Sequence, residues 1–353
     1  MNLAILIFGI SAGGSERFAT LLANGMSERG HHVTLLTGPK CQDEFPLSGQ
    51  VNRVELFPNQ QLLSGSCILH RYLRHHSVDA CVAIGIRANL VAALANTGLS
   101  AKMILCERNA PKEDHLSWMS RLFRRLLYGR GDAFVFQTPD AKAFYSESIQ
   151  ARGVVIPNPI KEGLPPKSHI SKKEFVAIGR LMPQKNYPLL LQAFYKVHQR
   201  YPDYQLRIFG KGQYLDDLQK QAASLGLSDA VTFEGFRSDV HQAIVDSDIY
   251  VLSSDFEGMP NALMETMAMG FPVISTDCPC GGPRMLIQDG VNGLLTKVGD
   301  ADSLSDAMLR YIEDPDLKQR CANQAMLIQQ SYSLPQIMQR WDLFLKKVIE
   351  GSK

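Results

Sequence analysis

No stretch of this chain stays apolar for anything near the ~20 residues that span a bilayer, and no low-complexity tract or short-period repeat interrupts it. No bilayer-spanning helix and no repeat-built fibre is therefore expected. Charge of one sign is missing too. The 37 Lys and Arg face 35 Asp and Glu, a formal net charge of +2, so the strong basic field that draws a protein onto nucleic acid is absent. Paired CxxC spacing is absent as well. Seven cysteines, at 41, 67, 81, 106, 278, 280 and 321, are an odd number scattered over strand-like and loop-like segments, the pattern of reduced thiols. Cys278 and Cys280 flank one proline without further ligands nearby, which favours a plain loop over a metal site. The opening Met1 to Phe8 carries no charged leader and runs into Gly9, Gly13 and Gly14, as a buried first strand does and a signal peptide does not. A cytosolic protein is the expectation.

What is present is ample apolar material. The composition is 45% hydrophobic over 353 residues, enough for two domains of ~100 to 200 residues each. Strand-like runs alternate with amphipathic stretches, the pattern of helices covering parallel sheets. The first series places strands at 3–8, 32–37, 80–84, 102–106 and 133–137. From Pro157 to Pro166 four prolines fall in ten residues, which neither a helix nor a sheet interior accommodates. A second series follows, with strands at 175–178, 205–209, 231–234, 249–252 and 272–275. The expectation is an α/β protein of two Rossmann-like domains, 1–157 and 174–333, with parallel sheets facing across a cleft. A linker at 158–173 joins them, and a final helix within 334–353 packs back on a core through Ile337, Met338, Trp341, Phe344, Leu345 and Val348.

The chemistry concentrates where strands of the second series end. Between Tyr250 and Gly270 a strand gives way to a small polar loop, Glu257-Gly258-Met259-Pro260, and a short helix begins. The amides of Asn261, Ala262 and Leu263 then point out of the carboxyl edge of the sheet, where helix dipoles favour an anion. Glu257 and Glu265 flank this turn, so that one carboxylate can reach sugar hydroxyls and the other a ribose diol. Another strand ends at Gly179, followed by Arg180 and Lys185, two cations spaced to converge on one phosphate and to neutralise a departing diphosphate without a metal. Further strand ends read Phe209-Gly210-Lys211-Gly212 and Glu234-Gly235-Phe236-Arg237. Asp246-Ser247-Asp248 has the form of a metal-binding Asp-x-Asp, but it precedes a strand, at the opposite edge, and is expected to be a solvated turn.

The Gly-Arg-Leu-x-x-x-Lys-Asn stretch at 179–186, the Glu-x7-Glu segment at 257–265 and the Gly-Gly-Ser-Glu-Arg loop at 13–17 resemble the GT-B glycosyltransferases of family 4 over nearly the whole chain. The resemblance implies retaining transfer from a nucleotide sugar with no metal or other cofactor. It implies that Arg180 and Lys185 hold the diphosphate, Glu265 the ribose and Glu257 the transferred sugar. It also implies that the loop at Phe236 frames the base and that the backbone at Gly13 and Gly14 approaches the diphosphate. The donor is expected to be a UDP-sugar, with a lean to UDP-GalNAc or UDP-GlcNAc, and the acceptor a saccharide or a lipid-linked glycan of bacterial surface-polysaccharide synthesis. No protein nucleophile stands out.

The first domain is expected to bind the acceptor through Glu107, Arg108 and Asn109 at the end of the strand 102–106. Relatives often carry a histidine hereabouts, and this chain does not. The following stretch mixes Trp118, Arg121, Arg124 and Arg125 with Leu and Phe, a basic amphipathic helix able to lie on an anionic membrane. His70, Arg71, Arg74, His75 and His76 form a second cationic stretch. Two rival functions are a nucleotide-sugar-binding protein without turnover and a dinucleotide oxidoreductase. The second lacks its fingerprint, since Gly9-Ile10-Ser11-Ala12-Gly13-Gly14 has no Gly-x-Gly-x-x-Gly spacing.

Overall fold

The computed structural model describes the chain except residues 12, 43, 59–60, 109, 113–117 and 352–353. It divides into two compact units, Met1–Pro159 with Leu334–Lys353, and Ile160–Ser333. The first unit carries seven strands: β1 (Asn2–Leu6), β2 (His32–Thr37), β3 (Asn52–Glu55), β4 (Ala80–Ile84), β5 (Lys102–Cys106), β6 (Ala133–Phe136) and β7 (Gly153–Val155). The second carries six: β8 (Glu174–Ile178), β9 (Gln205–Phe209), β10 (Val231–Gly235), β11 (Ile249–Leu252), β12 (Val273–Thr276) and β13 (Leu294–Thr296). The sheet orders are β3-β2-β1-β4-β5-β6-β7 and β10-β9-β8-β11-β12-β13, and every pairing is parallel. Each unit is thus an α/β Rossmann-like domain. Each has one point where the strand order reverses, β1 beside β4 and β8 beside β11, and crevices for ligands open at the carboxyl ends of such strands.

β3, β7 and β13 have no counterpart in the sequence pattern. All three are outermost in their sheets, only three or four residues long, and β3 and β7 are partly exposed throughout. A short edge strand need not be apolar on both faces, so it lacks the continuous hydrophobic run that marks β4 or β6. The proline-rich stretch also differs from expectation. Ile160 is buried in the core of the second unit, and Lys167 and Ser168 donate backbone hydrogen bonds to Met269 (2.7 Å) and Val245 (2.7 Å). Most of the expected linker is laid against the second unit, because its prolines rule out a ladder but not packing.

The helix Leu334–Glu350 returns to the first unit. Its Ile337, Met338, Trp341 and Leu345 are fully buried against Phe18, Leu22 and Met26 of the helix Gly14–Glu28. The Trp341 and Phe18 rings lie 5.7 Å apart. Gly25 is glycine because a Cβ there would come within 2.6 Å of the Met338 side chain. Arg29 donates to the Pro335 carbonyl (3.0 Å) and His31 meets Asp342 (2.7 Å), fixing the start and middle of the helix.

Candidate functional site

The site is assembled in the second unit at the β8/β11 switch point. β8 ends at Ile178, and the chain passes through Gly179 and the exposed Arg180 into a short 3-10 turn, Pro183–Lys185. Asn186 closes that turn with φ 44° and caps the helix Tyr187–Arg200 by accepting from the Leu189 amide at 3.2 Å. β11 ends at Leu252 and passes into Ser253–Pro260, after which the helix Asn261–Met269 begins. Hydrogen bonds sew the two loops together. Asn186 donates to Asp255 (2.7 Å), Ser253 to the Lys185 carbonyl (2.8 Å), and Gln184 to the Phe256 carbonyl (2.9 Å).

These bonds hold Lys185 against Glu257. Nζ lies 2.5 Å from Oε1, and the Ser254 hydroxyl donates to the same oxygen at 2.6 Å. Glu257 is buried to 6% exposure, and a buried carboxylate persists only when paired and hydrogen-bonded in this way. Its backbone exchanges two bonds with the following loop, to the Pro279 carbonyl (2.6 Å) and from the Cys280 amide (2.8 Å). Cys278, beside this loop, is no nucleophile, because burial pushes its thiol up to about 12. Burial likewise drives the Tyr187 hydroxyl, which donates to the Gly179 carbonyl at 3.1 Å, above its ordinary value.

Glycine is required where these loops touch. A Cβ on Gly210, whose φ is +149°, would sit 1.8 Å from the Gly179 carbonyl, and one on Gly282 would sit 1.9 Å from the Gly258 carbonyl. The helix Asn261–Met269 starts at Pro260 without a side-chain cap, so the first-turn amides at Asn261, Ala262 and Leu263 remain an anion-favouring end. Met259 and Leu263 are buried, and only their backbones could serve a ligand. Glu265, one turn on, is buried to 7% and meets His241 Nε2 at 2.9 Å. Phe236, past the end of β10, is 67% exposed, with Lys211 Nζ 5.7 Å from its ring centroid. The fold therefore gathers Arg180, Lys185, Glu257, Gly258 and the Asn261 helix at one sheet edge. Ser254, Gln184 and His241 escaped sequence inspection, since a lone Ser, Gln or His carries no spacing signal.

In the first unit, Gly13 (φ +153°) precedes the helix that Gly14 opens, and both are exposed at the turn beyond β1. Beside them Phe45 donates to the Ile10 carbonyl (2.9 Å), and Glu44 bridges Ser11. Arg53 holds Glu44 through both guanidinium nitrogens.

The expected acceptor groups are placed otherwise. Glu107 is 3% exposed and accepts from Tyr145 (2.6 Å) and Tyr128 (3.2 Å), while Arg108, 6% exposed, donates to Asn158 and lies 3.7 Å over the Phe18 ring. Burial lowers Arg108 to about 10, which leaves it charged at neutral pH. Both side chains turn inward and brace the strand end rather than stand open to an acceptor. Asn109 lies outside the described residues.

Arg124 is also corrected. It is 6% exposed, donates to the Pro111 carbonyl (3.0 Å) and covers the Phe144 ring at 5.1 Å. It is therefore an inward residue of the helix Trp118–Leu127, not a surface contact. The exposed face of that helix is apolar, with Trp118 at 73%, Leu122 at 45%, Phe123 at 40% and Leu126 at 63% exposure, and Arg121 and Arg125 are exposed beside it. Asp246-Ser247-Asp248 is not a solvated turn either. Asp248 is 3% exposed and is held by Lys318 (3.1 Å), while Asp246 pairs with Lys172 (3.1 Å). Among the described residues no cluster of metal-ligating side chains is found, and no helix is long and apolar enough to cross a membrane.

Two Rossmann-like units, each with an all-parallel sheet, one of them carrying a paired Lys–Glu and a helix start without a side-chain cap at its switch point, are the units of a GT-B architecture. The chain matches the models for glycosyl transferases group 1 over residues 162–327 and for the glycosyl transferase 4-like domain over residues 13–159. It is 25% identical over 340 residues to an uncharacterised glycosyltransferase of Haemophilus influenzae, covering 94% of this chain and 96% of that one. It is also 25% identical over 348 residues to the N-acetylgalactosamine-N,N'-diacetylbacillosaminyl-diphospho-undecaprenol 4-alpha-N-acetylgalactosaminyltransferase of Campylobacter jejuni, covering 92% and 93%. Among solved structures, HepE of Anabaena in complex with UDP and glucose superposes with a TM-score of 0.81 at 21% identity, over 98% of this chain and 99% of that one. The chain belongs to the GT-B glycosyltransferases and is a transferase.

Proposed function

We propose that this enzyme transfers a hexose or N-acetylhexosamine from a UDP-sugar, with retention, to a lipid-linked or saccharide acceptor. The observation that carries the reading is the cluster at the β8/β11 switch point, where Lys185 is held on Glu257 beside Arg180 and the start of the Asn261 helix. Arg180, Lys185 and the first-turn amides neutralise the diphosphate as the bond from the sugar carbon to its phosphate oxygen breaks. Glu257 accepts from sugar hydroxyls, and Glu265 accepts from the ribose. The acceptor oxygen bonds to the sugar carbon on the face that the leaving group vacates, and its proton passes to a phosphate oxygen of the departing UDP. No nucleophilic side chain and no metal enters this scheme. The undecaprenol-linked substrate of the Campylobacter relative and the UDP bound to HepE support the choice of acceptor and donor class, with an N-acetylhexosamine preferred.

The exposed stripe of Trp118, Leu122 and Leu126, flanked by Arg121 and Arg125, suits the headgroup boundary of an anionic membrane, where a lipid-linked acceptor would be met. Incubation with UDP-, GDP- and ADP-sugars and an undecaprenyl-diphosphate glycan, with and without EDTA, tests the main reading. UDP release that survives EDTA is expected, with the anomeric configuration kept. Release from GDP- or ADP-sugars alone, or loss with EDTA, would overturn it. Flotation with anionic and neutral liposomes tests the membrane contact, and equal recovery of wild type and W118S/L126S would remove it.

A further inference from the structure

We infer that His241 is a positioning residue for nucleotide recognition, holding the Glu265 carboxylate in the orientation that accepts the ribose diol; this rests on the donor site proposed above. His241 lies on the short helix Val240–Ala243 that follows β10, and Glu265 on the helix that follows β11. The pair therefore bridges two elements that leave the same sheet edge. Their contact is 2.9 Å, with side-chain exposures of 11% and 9%. An ionised carboxylate only accepts, so the imidazole presents its Nε2 proton to Glu265.

Packing alone does not explain this pair. Val240 and Ala243 lie against the apolar cluster that holds Ile244 and Met264, and apolar side chains at both 241 and 265 would join that cluster without burying a charge. Replacing a buried polar pair by well-packed apolar groups is often neutral or stabilising. What the imidazole adds is direction, because its hydrogen bond commits Oε2 and fixes the rotation of the carboxylate. A carboxylate free to rotate pays an orientational cost with every ribose it meets. Phe236, exposed at the end of the same strand, and Lys211 over its ring stand on the side of the unit from which His241 emerges. Base and ribose recognition would thereby share the β10 segment.

Calorimetric titration of wild type with UDP and with 2′,3′-dideoxy-UDP comes first. Hydrogen bonds to a charged group predict that UDP binds about 10- to 100-fold more tightly. In H241F the ratio is expected to fall to about threefold or less, the KM for donor to rise and kcat to change little, because the chemistry at the sugar is untouched. H241Q, whose amide can donate from a similar distance, is expected to restore most of the ratio, with thermal melting recorded for both. If H241F proves unfolded, an H241Q enzyme with wild-type discrimination beside an H241L enzyme without it gives the same answer. Full discrimination in H241F or H241L overturns the inference while leaving the donor site intact. Failure of wild type to bind any nucleoside diphosphate would instead overturn the donor reading itself.

Discussion

Lys185 Nζ and the Ser254 hydroxyl converge on a single oxygen of Glu257, at 2.5 and 2.6 Å. One carboxylate oxygen is thus spent on holding the group still. This arrangement separates orientation from charge. E257A is expected to abolish transfer while UDP still binds, and K185A to slow turnover sharply. S254A, which removes one hydrogen bond to a charged acceptor, should lower kcat about tenfold with donor KM nearly unchanged. Steady-state kinetics with a radiolabelled donor checks all three, and full activity in E257A or K185A would overturn the assigned roles.

The glycines at the loop crossings make a second, sterically grounded prediction. A Cβ on Gly210 would lie 1.8 Å from the Gly179 carbonyl, and one on Gly212 would lie 2.1 Å from the Leu181 carbonyl. Backbone cannot yield as a flexible side chain can, so G210A must displace the segment that carries Arg180. UDP affinity is expected to fall at least tenfold, about 1.4 kcal/mol, in a protein whose circular dichroism is unchanged. G226A, which meets nothing within 4 Å but shares a positive φ of +71°, serves as the comparison and should cost stability without costing affinity.

Much of this site is legible in the sequence, and its limits are physical. Gly179, Arg180, Lys185, Glu257 and Glu265 stand at fixed offsets from apolar strand runs, so a strand end and a chemical group are read together. Ser254 and His241 act through single hydrogen bonds between segments distant in sequence, which no local pattern encodes. Glu107 and Arg108 mislead for the opposite reason. Polar residues at a strand end look open, yet Tyr128, Tyr145 and Asn158 arrive from elsewhere in the chain to bury them. The buried Arg124 follows the same rule, since its Phe144 and Pro111 partners lie off its own helix.

The terminal helix carries a stability prediction. Trp341 is fully buried against Phe18 and Phe344, and removing a buried aromatic of this size costs about 3–5 kcal/mol through lost transfer energy and the cavity left behind. W341A should lower the urea midpoint of a transition that reports the first unit. A tag-free chain ending at Ser333 should fail to give that transition. An unchanged midpoint in W341A would show that the helix is dispensable to the unit it covers.

Glu44 and Arg53 supply a pH dependence at the glycine turn. The Arg53 guanidinium, bonded to both oxygens of Glu44, holds that carboxyl at about 2 against an ordinary 4.5, and does so despite partial burial that pushes the other way. The unfolded chain therefore takes up the proton first as pH falls. Between about 4.5 and about 2 the unfolded state binds more protons than the native one, so stability rises with pH across that window. The contribution of the pair is complete above the window and gone below it. Because the carboxylate is near the surface, solvent screening keeps the effect modest. E44Q should be less stable than wild type at neutral pH by urea denaturation, and the gap should narrow as pH is lowered from about 5 towards about 2.5, within the titration range of the carboxyl. A gap that stays constant over that range would show that Glu44 titrates alike in both states.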